Sequence, residues 1–458
     1  MHFTQHYLAC LSHASYLIGD ETSGRAVVVD PQRDISAYVI EAETSGLNIE
    51  LVIETHIHAD FVSGHLELAR ATGAEIAYGL GADIDFPVRH LRDGDRIELG
   101  EVVLEVRSTP GHTPESISIV IWRHPQDDTP YGVMTGDTLF IGDVGRPDLL
   151  AAAGHDPDTM ARNLYHSLHT KLLTLPDATR IFPAHGAGSA CGRQLSTERQ
   201  STIGEQRQGN YALQASSEDD FVNLVTEGQP ARPRYFSYDA RRNTEAHPLL
   251  DERDAPRLVS VERLLDLQRE GAQVLDTRSP DEFALAHVRG SVNVGLDGRF
   301  AEFAGAVLDP RSGIVLVCDP GAELESKLRL ARVGFDDVRG ALADPLATFL
   351  EHPELIVQAT RRTVAELDGA TMVDVRAPGE TEAGTIPGAR LIPLARLVDE
   401  LDTLDRDATT VVYCAGGYRS SIAASVLRAH GFRDVSDLIG GYSAWEDRQT
   451  MELERPSQ

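Results

Sequence analysis

Two histidines and an aspartate follow one apolar run of the chain at alternate positions. Residues 55–61 read THIHADF, so that His56, His58 and Asp60 come directly after the predicted strand LVI. Imidazole and carboxylate groups at the exit of a strand are typical metal ligands. The next residue, Phe61, has no lone pair, whereas a hydrolase with two metal ions would need a further histidine there. The motif therefore predicts a metal site and leaves open which of the two histidines binds the ion.

Three later segments also place a ligand-type side chain directly after a predicted strand. They are TPGHT with His112, TGDT with Asp137 and PAHG with His185. Loops that follow several strands can meet at one edge of a fold, where binding sites commonly form. A lone histidine is usually an ordinary core or surface residue, and the chain has 17 of them. The joint placement of these residues beside glycine and threonine turns instead predicts one shared metal site.

A cysteine near the C-terminus stands in a second kind of reactive setting. Cys414 follows the apolar run VVY and precedes a glycine-rich loop, with Gly416 and Gly417, that enters a helical pattern at Arg419. Loop N–H groups and a helix N-terminus favour a thiolate and bind anions. We therefore expect Cys414 to be a nucleophile, Arg419 to add positive charge, and the two glycines to help bind a sulfur oxyanion.

The C-terminal half contains one pattern twice. The segment VLDTR at 274–278 recurs as MVDVR at 372–376, and Cys318 stands in the earlier copy where Cys414 stands in the later one. In the first copy Glu323 replaces the arginine, and a carboxylate there would raise the pKa of a thiol and repel anions. Each copy alternates short apolar runs with helical patterns, which predicts an α/β domain with a mostly parallel sheet. We expect the first copy to be inactive.

Composition narrows the choice of partners and compartment. The formal net charge of −29 argues against nucleic acid or an anionic membrane as a partner. The four cysteines are too few and too scattered for a disulfide framework, which favours a reducing compartment. No signal peptide or membrane-spanning run is evident. We expect a cytoplasmic protein that can form a homo-oligomer.

The N-terminal motifs, in their order THIHADF, TPGHT, TGDTLF and PAHG, resemble the metallo-β-lactamase superfamily. With GDVGRPDL at 142–149 they are similar to its persulfide dioxygenase (sulfur dioxygenase) branch. This resemblance implies one Fe(II) per chain, held by His56, His112 and Asp137. It leaves His58, Asp60 and His185 as groups that orient ligands and substrate. Two histidines and a carboxylate with open coordination positions suit non-haem iron oxygenases. Arg146 is a candidate clamp for a substrate carboxylate.

The loop around Cys414 resembles the active loop of rhodaneses, and the first copy is rhodanese-like. The expected fold class is α/β, with an N-terminal αββα sandwich and two rhodanese-like domains. Strand candidates interleave in the first half with helical patterns at 61–72 and 160–173. The expected division is a metal-binding domain at 1–240, a linker at 241–256, an inactive rhodanese-like domain at 257–355 and an active one at 356–458.

Together these resemblances imply oxidation of a low-molecular-weight thiol persulfide, such as glutathione persulfide, by O₂ to sulfite and thiol. The rhodanese loop implies sulfur transfer that involves thiosulfate and sulfite. Two alternatives remain at this stage. One is a thioester hydrolase of the glyoxalase II kind, which Phe61 disfavours, and the other is a non-catalytic persulfide carrier or sensor.

Overall fold

The computed structural model describes residues 1–453, and the chain divides into two compact units. The first unit contains residues 1–232 and 236–251, and the second contains residues 233–235 and the chain from 252 onward. The last five residues of the segment predicted at 356–458 lie outside the described residues. None of the helices within 1–453 has the length and apolar character needed to cross a membrane.

Two six-stranded sheets form the centre of the first unit. The first sheet has strands in chain order: β1 (His2–Leu8), β2 (His13–Asp20), β3 (Arg25–Val29), β4 (Asn48–Ile53), β5 (Glu75–Gly79) and β6 (Arg89–Leu91). In the second sheet, consecutive strands are again neighbours: β7 (Arg96–Glu98), β8 (Val103–Ser108), β9 (Ile117–Trp122), β10 (Gly132–Gly136), β11 (Arg180–Pro183) and β12 (Ser201–Thr202). β3 to β6 pair in parallel, as do β10 and β11.

Alternating side chains along the strands bury both faces of each sheet, because successive residues of a strand point to opposite sides. One face of each sheet contributes to a shared core that includes Ile53, Leu104 and Ile119. The other faces pack against helices, with Val52 and Leu68 in one outer cluster. The helices are α1 (Ser36–Thr44), α2 (His65–Thr72), α3 (Pro157–Ser167), α4 (Ile203–Gly209), α5 (Glu218–Thr226) and α6 (Phe236–Thr244). The predicted αββα sandwich is confirmed.

The second unit contains two five-stranded parallel sheets with equivalent strand order. The first has the order β13-β18-β17-β14-β16 and the second the order β20-β24-β23-β21-β22. The strands of the first copy are β13 (Leu258–Val259), β14 (Gln273–Asp276), β15 (His287–Val288), β16 (Val292–Asn293), β17 (Ile314–Val317), β18 (Val338–Leu342) and β19 (Ile356–Val357), where β15 and β19 pair separately. Those of the second are β20 (Thr360–Arg362), β21 (Thr371–Asp374), β22 (Arg390–Leu391), β23 (Thr410–Tyr413) and β24 (Val435–Leu438).

Helices connect the parallel strands, as crossover connections require. They are α7 (Val261–Arg269), α8 (Pro280–Leu285), α9 (Phe300–Val307), α10 (Glu323–Ala331), α11 (Pro345–Glu351), α12 (Pro378–Thr381), α13 (Leu394–Leu397), α14 (Tyr418–Ala429) and α15 (Gly441–Leu453). Cys318 directly follows β17 and Cys414 directly follows β23, so the repeat found in the sequence places both thiols at the same point of the topology. The predicted α/β domains with parallel sheets are confirmed.

The segment predicted as a linker differs from a simple connection. Residues 241–251 belong to the first unit, and α6 extends through Thr244. Asn243, on this helix, is fully buried, although it falls in the segment expected to be a linker. Its polar side chain is satisfied by backbone groups of the first unit, which composition alone does not reveal.

Candidate metal centre and sulfur-transfer loop

His56, His112 and Asp137 converge where β4, β8 and β10 end. Nε2 of His56 lies 3.7 Å, and Nε2 of His112 lies 3.5 Å, from Oδ2 of Asp137. All three residues are buried, and none of these three atoms has a hydrogen-bond partner within the described chain. Burying unpaired polar atoms is costly unless a ligand satisfies them. The donor set and its spacing therefore fit one metal ion in contact with all three side chains.

Hydrogen bonds on the far side of each imidazole orient the two histidines. Nδ1 of His112 donates to the carbonyl of Arg146 at 3.0 Å, which leaves its Nε2 as the lone-pair nitrogen. Nδ1 of His56 lies 3.0 Å from the hydroxyl of Thr55. Burial lowers the pKa of both imidazoles, and for His56 neighbouring histidines lower it further. Both are therefore neutral near pH 7, the form that binds metals.

His58 belongs to a different group of side chains. Its Nε2 lies 3.0 Å from Oδ1 of Asp30 and 3.1 Å from Oε2 of Glu54, and all three residues are buried. Although burial opposes the charge, these two carboxylates raise the pKa of His58 to about 10. The sequence left His56 and His58 as alternative ligands. The structure groups His56 with His112 and Asp137. It places His58 with the carboxylates of Asp30 and Glu54 instead.

His185 bridges two carboxylates beside the candidate metal site. Its Nδ1 donates to Oδ1 of Asp137 at 2.7 Å, and its Nε2 lies 2.9 Å from Oδ2 of Asp60. Burial opposes protonation, but the two carboxylates raise the pKa of His185 well above its ordinary value. An imidazolium here holds the second oxygen of Asp137 and so fixes which oxygen faces His112. This placement fits the predicted orienting roles of Asp60 and His185.

Phe61 and Cys191 lie beside the His185–Asp60 pair. The buried Phe61 ring packs 4.0 Å from the His13 ring and 4.4 Å from the His58 ring, measured between centroids. Cys191 lies within 4.8 Å of ligand atoms of Asp60 and His185. Its thiol is buried, and burial together with the neighbouring carboxylates raises its pKa well above the ordinary value. Sequence reasoning missed this position, because Cys191 stands in a loop without a recognised motif.

Arg146 is engaged inside the protein. Its side chain is buried and forms two hydrogen bonds to the Asp148 carboxylate, at 2.7 and 2.8 Å, and a third to the carbonyl of Ala190 at 3.0 Å. Its own carbonyl accepts the hydrogen bond from His112. These contacts join the loop of Arg146 to the loop before Cys191. If Arg146 were the predicted clamp, the substrate carboxylate would have to compete with Asp148 for its guanidinium.

Asn243 holds the metal-binding loop from a helix far along the chain. Its Nδ2 donates to the carbonyls of His58 and Phe61, both at 2.8 Å, and its Oδ1 accepts from the N–H of Ser63 at 2.9 Å. The whole residue is buried. One side chain thus satisfies three backbone groups of an irregular loop, which would otherwise be orphaned. Sequence reasoning missed this residue.

Cys414 lies at the start of a tight loop before α14. The N–H of Gly417 donates to its Sγ at 3.1 Å, and Ser420 Oγ lies 3.6 Å from the same sulfur. Gly417 has a φ of 110°, a backbone conformation that favours glycine. The adjacent Arg419 forms a bidentate pair with Glu380 at 2.5 and 2.6 Å. Burial opposes its charge, while Glu380 and Cys414 raise the pKa of Arg419.

The corresponding loop of the first copy is closed by its own carboxylate. Both oxygens of Glu323 accept a hydrogen bond from the N–H of Gly321, at 3.1 and 3.0 Å. Cys318 is buried, and burial followed by the charges of Glu323, Asp276 and Asp319 raises its pKa to about 12. A thiol held in this way is a poor nucleophile. The geometry supports the prediction that this copy is inactive.

Tyr418 joins the two rhodanese-like copies at the reactive loop. Its hydroxyl contacts the carbonyls of Gly295 and Asp297 at 2.7 and 2.9 Å, and its ring meets Phe303 edge-on at 5.6 Å between centroids. Tyr418 lies between Gly417 and Arg419, so the first copy anchors the loop of the second. The first copy therefore supports the reactive loop of the second through these contacts.

Comparison with known proteins matches both units. A family model described as metallo-beta-lactamase superfamily matches residues 8–185, and one described as rhodanese-like domain matches residues 260–340 and 361–448. Persulfide dioxygenase ETHE1, mitochondrial, of Bos taurus is 32% identical over 237 residues, which cover 50% of this chain and 82% of that protein. The protein of the same name from Homo sapiens is 31% identical over 233 residues, with the same coverage.

One solved structure spans most of this chain. The crystal structure of a metallo-beta-lactamase from Staphylococcus aureus subsp. aureus COL has a TM-score of 0.67 and 32% sequence identity, and the match covers 74% of this chain and 98% of that one. The metallo-beta-lactamase match falls in the first unit, which contains the candidate metal site, and the rhodanese matches fall in the second unit, which contains the Cys414 loop. The chain belongs to the persulfide dioxygenase family of the metallo-beta-lactamase superfamily and carries two rhodanese-like domains in its second unit.

Proposed function

We propose that the first unit is an iron-dependent persulfide dioxygenase and that the second transfers sulfane sulfur. The observation that carries the first part is the set of three buried, unpartnered ligand atoms on His56, His112 and Asp137. The set has two nitrogens and one carboxylate oxygen, the donors used by non-haem Fe(II) oxygenases. The ETHE1 relatives, whose name is persulfide dioxygenase, support the same activity. The proposed location is the cytoplasm.

The proposed reaction converts a thiol persulfide, O₂ and water into the free thiol and sulfite. Written with all atoms, RSSH + O₂ + H₂O gives RSH + H₂SO₃, so the terminal sulfur is oxidised and O₂ is reduced. A bound ferrous ion would supply the redox chemistry. The chain's own residues hold the site: His185 fixes the Asp137 carboxylate, and the Arg146 carbonyl fixes the tautomer of His112. Glutathione persulfide is the first substrate to test.

We further propose that Cys414 carries sulfur as a persulfide. Its thiolate would attack the outer sulfur of thiosulfate, releasing sulfite, and an acceptor thiol would then remove that sulfur and regenerate the thiolate. The N–H of Gly417 stabilises the attacking sulfur, and Arg419 supplies positive charge beside it. The same steps run backwards would use sulfite to form thiosulfate.

Metal analysis and oxygen uptake test the proposal together. Protein purified without oxygen should contain one iron per chain and consume O₂ when given glutathione persulfide. His112→Ala should lose both the metal and the O₂ uptake. Stoichiometric zinc without O₂ uptake, combined with hydrolysis of lactoylglutathione, would support the hydrolase alternative instead. Consumption of a single equivalent of O₂ without turnover would favour a persulfide sensor.

A further inference from the structure

An apolar cavity of about 280 Å³ lies against the metal-binding loop. Its wall includes Ala59, which stands between His58 and Asp60, and the side of α6 that carries Phe236 and Ala240. Asn243, one turn further along α6, is hydrogen-bonded to the same loop on both sides of Ala59. The cavity therefore adjoins the loop that follows the candidate ligand His56.

Seven of the nine residues that line this cavity are alanine, leucine or phenylalanine. Leu149 and Leu150, directly after the Arg146–Asp148 pair, are also part of the lining. The exceptions are one serine and Arg232. Small ligands bind in cavities of this kind through apolar contact, and a few placed polar groups set their orientation. The walls thus suit a short hydrocarbon chain better than a peptide.

Arg232 supplies the one cationic group of the cavity lining. Its Nη1 donates to the carbonyl of Leu149 at 2.7 Å, which fixes the guanidinium at the cavity wall. Within residues 1–453 no carboxylate lies within ion-pair distance of it, although the chain as a whole is strongly acidic. Arg146, the arginine singled out by the sequence, is occupied by Asp148. Among the described residues that line the cavity, Arg232 is the one arginine that could bind a substrate anion.

We infer that this cavity binds the organic part of the persulfide substrate, and that the preferred substrate is a short apolar thiol ending in a carboxylate. The inference rests on the proposed function, because it assigns the cavity to the substrate of the same site. Glutathione fits the lining less well, since it carries two carboxylates, an ammonium and two amides. A wall with one guanidinium and one hydroxyl cannot pair all of these groups, and unpaired polar groups weaken binding.

Calorimetry with thiols, which are products rather than substrates, tests the site without turnover. The iron-loaded full chain is titrated with 6-mercaptohexanoic acid, its amide and glutathione. We expect the acid to bind about tenfold more tightly than the amide, because a charge-assisted pair with a half-buried guanidinium is lost in the amide. Each methylene removed from the acid should weaken binding about fourfold.

Two variants locate the effect. Arg232→Ala should abolish the difference between acid and amide, and Ala240→Phe should fill the cavity and weaken both. Arg89→Ala is the matched control, since Arg89 is exposed on β6 and should leave all affinities unchanged. Equal affinity of the wild-type chain for acid and amide, or a difference that survives Arg232→Ala, would overturn the inference. Arg232 is half-buried, so this variant remains informative if Ala240→Phe does not fold.

Oxygen uptake separates this inference from the proposed function. The persulfides of the acid, the amide and glutathione are compared in the wild-type chain and in Arg232→Ala. If O₂ is consumed equally well with all three and the variant is unaffected, the dioxygenase stands and the substrate inference fails. If no persulfide supports O₂ uptake although the calorimetric preference is present, the binding site stands and the proposed oxidation fails.

Discussion

Replacing Asn243 by alanine should loosen the metal-binding loop without touching any metal ligand. The substitution removes two donated hydrogen bonds and one accepted hydrogen bond, all to buried backbone groups. A typical hydrogen bond contributes about 1 kcal/mol net, and an unsatisfied buried group costs more. We therefore expect the free energy of unfolding of the first unit to fall by about 3 kcal/mol.

The two tryptophans allow this loss to be measured in the intact chain. Trp122 lies in the first unit and Trp445 in the second, and the chain has no others. In a Trp445→Phe background, Trp122 fluorescence reports urea unfolding of the first unit alone. With a slope of about 3 kcal/mol per molar urea, the midpoint should fall by about 1 M. Asn223→Ala, at an exposed position of α5, is the matched control and should change stability by less than about 0.5 kcal/mol.

Iron affinity gives a second measurement on the same variant. Groups that orient metal-binding segments typically contribute a factor of about 10 to 100 to affinity. Asn243→Ala should therefore lose iron to a chelator at least about tenfold more readily than the wild-type chain. Asn243→Asp should be worse, because its carboxylate would face the carbonyls of His58 and Phe61. An alanine variant with unchanged midpoint and unchanged iron retention would refute the role assigned to this side chain.

Three further predictions concern other parts of the chain. Phe61→His alone should leave the metal content measured by elemental analysis at one ion per chain at pH 8, because His185 stays paired with Asp60 and Asp137; a content of two ions would show that position 61 alone limits metal binding. Cys414→Ser should reduce thiosulfate:thiol sulfur transfer to background from pH 7 to 10, because the pKa of Cys318, about 12, leaves about 1% of it as thiolate even at pH 10. Activity that reappears in this variant near pH 9 would assign a catalytic role to Cys318. Tyr418→Phe removes the hydroxyl that anchors the reactive loop and should slow sulfur transfer while O₂ uptake is retained; parallel loss of both activities, or of neither, would contradict a local anchoring role.

The sequence was sufficient to predict the fold class and the residues now grouped at the candidate site. Apolar runs of strand length and the ligand-type residues after them are local signals, and a parallel or stacked sheet brings such loops together by its topology. The repeat likewise predicted two domains of one kind, because equivalent apolar runs and cysteines recur in the same order. The helix predicted at 61–72 begins only at His65, since residues 61–64 are held as a loop by contacts with Pro31 and Asn243.

The residues that sequence reasoning missed act over long separations along the chain. Asn243 contacts a loop about 180 residues earlier, and Arg232 reaches the carbonyl of Leu149, 83 residues away. Neither stands in a motif, and Asn243 lies in the segment 241–256 that was expected to be a linker. The choice between His56 and His58 was also hidden, because it depends on which carboxylates the folded chain places behind the loop.

A single-ion site follows from more than the absence of an imidazole at position 61. Asp60 and His185 would be ligands of a second ion, but both ring nitrogens of His185 are engaged, one by Asp60 and one by Asp137. A second cation would have to break this buried chain of charges, and breaking a buried pair costs several kcal/mol unless the new contacts replace it. The same chain holds Asp137 in place for the first ion. The arrangement therefore favours the first site and disfavours the second through one set of ion pairs, while Phe61 fills the space beside it with a ring that cannot bind a metal.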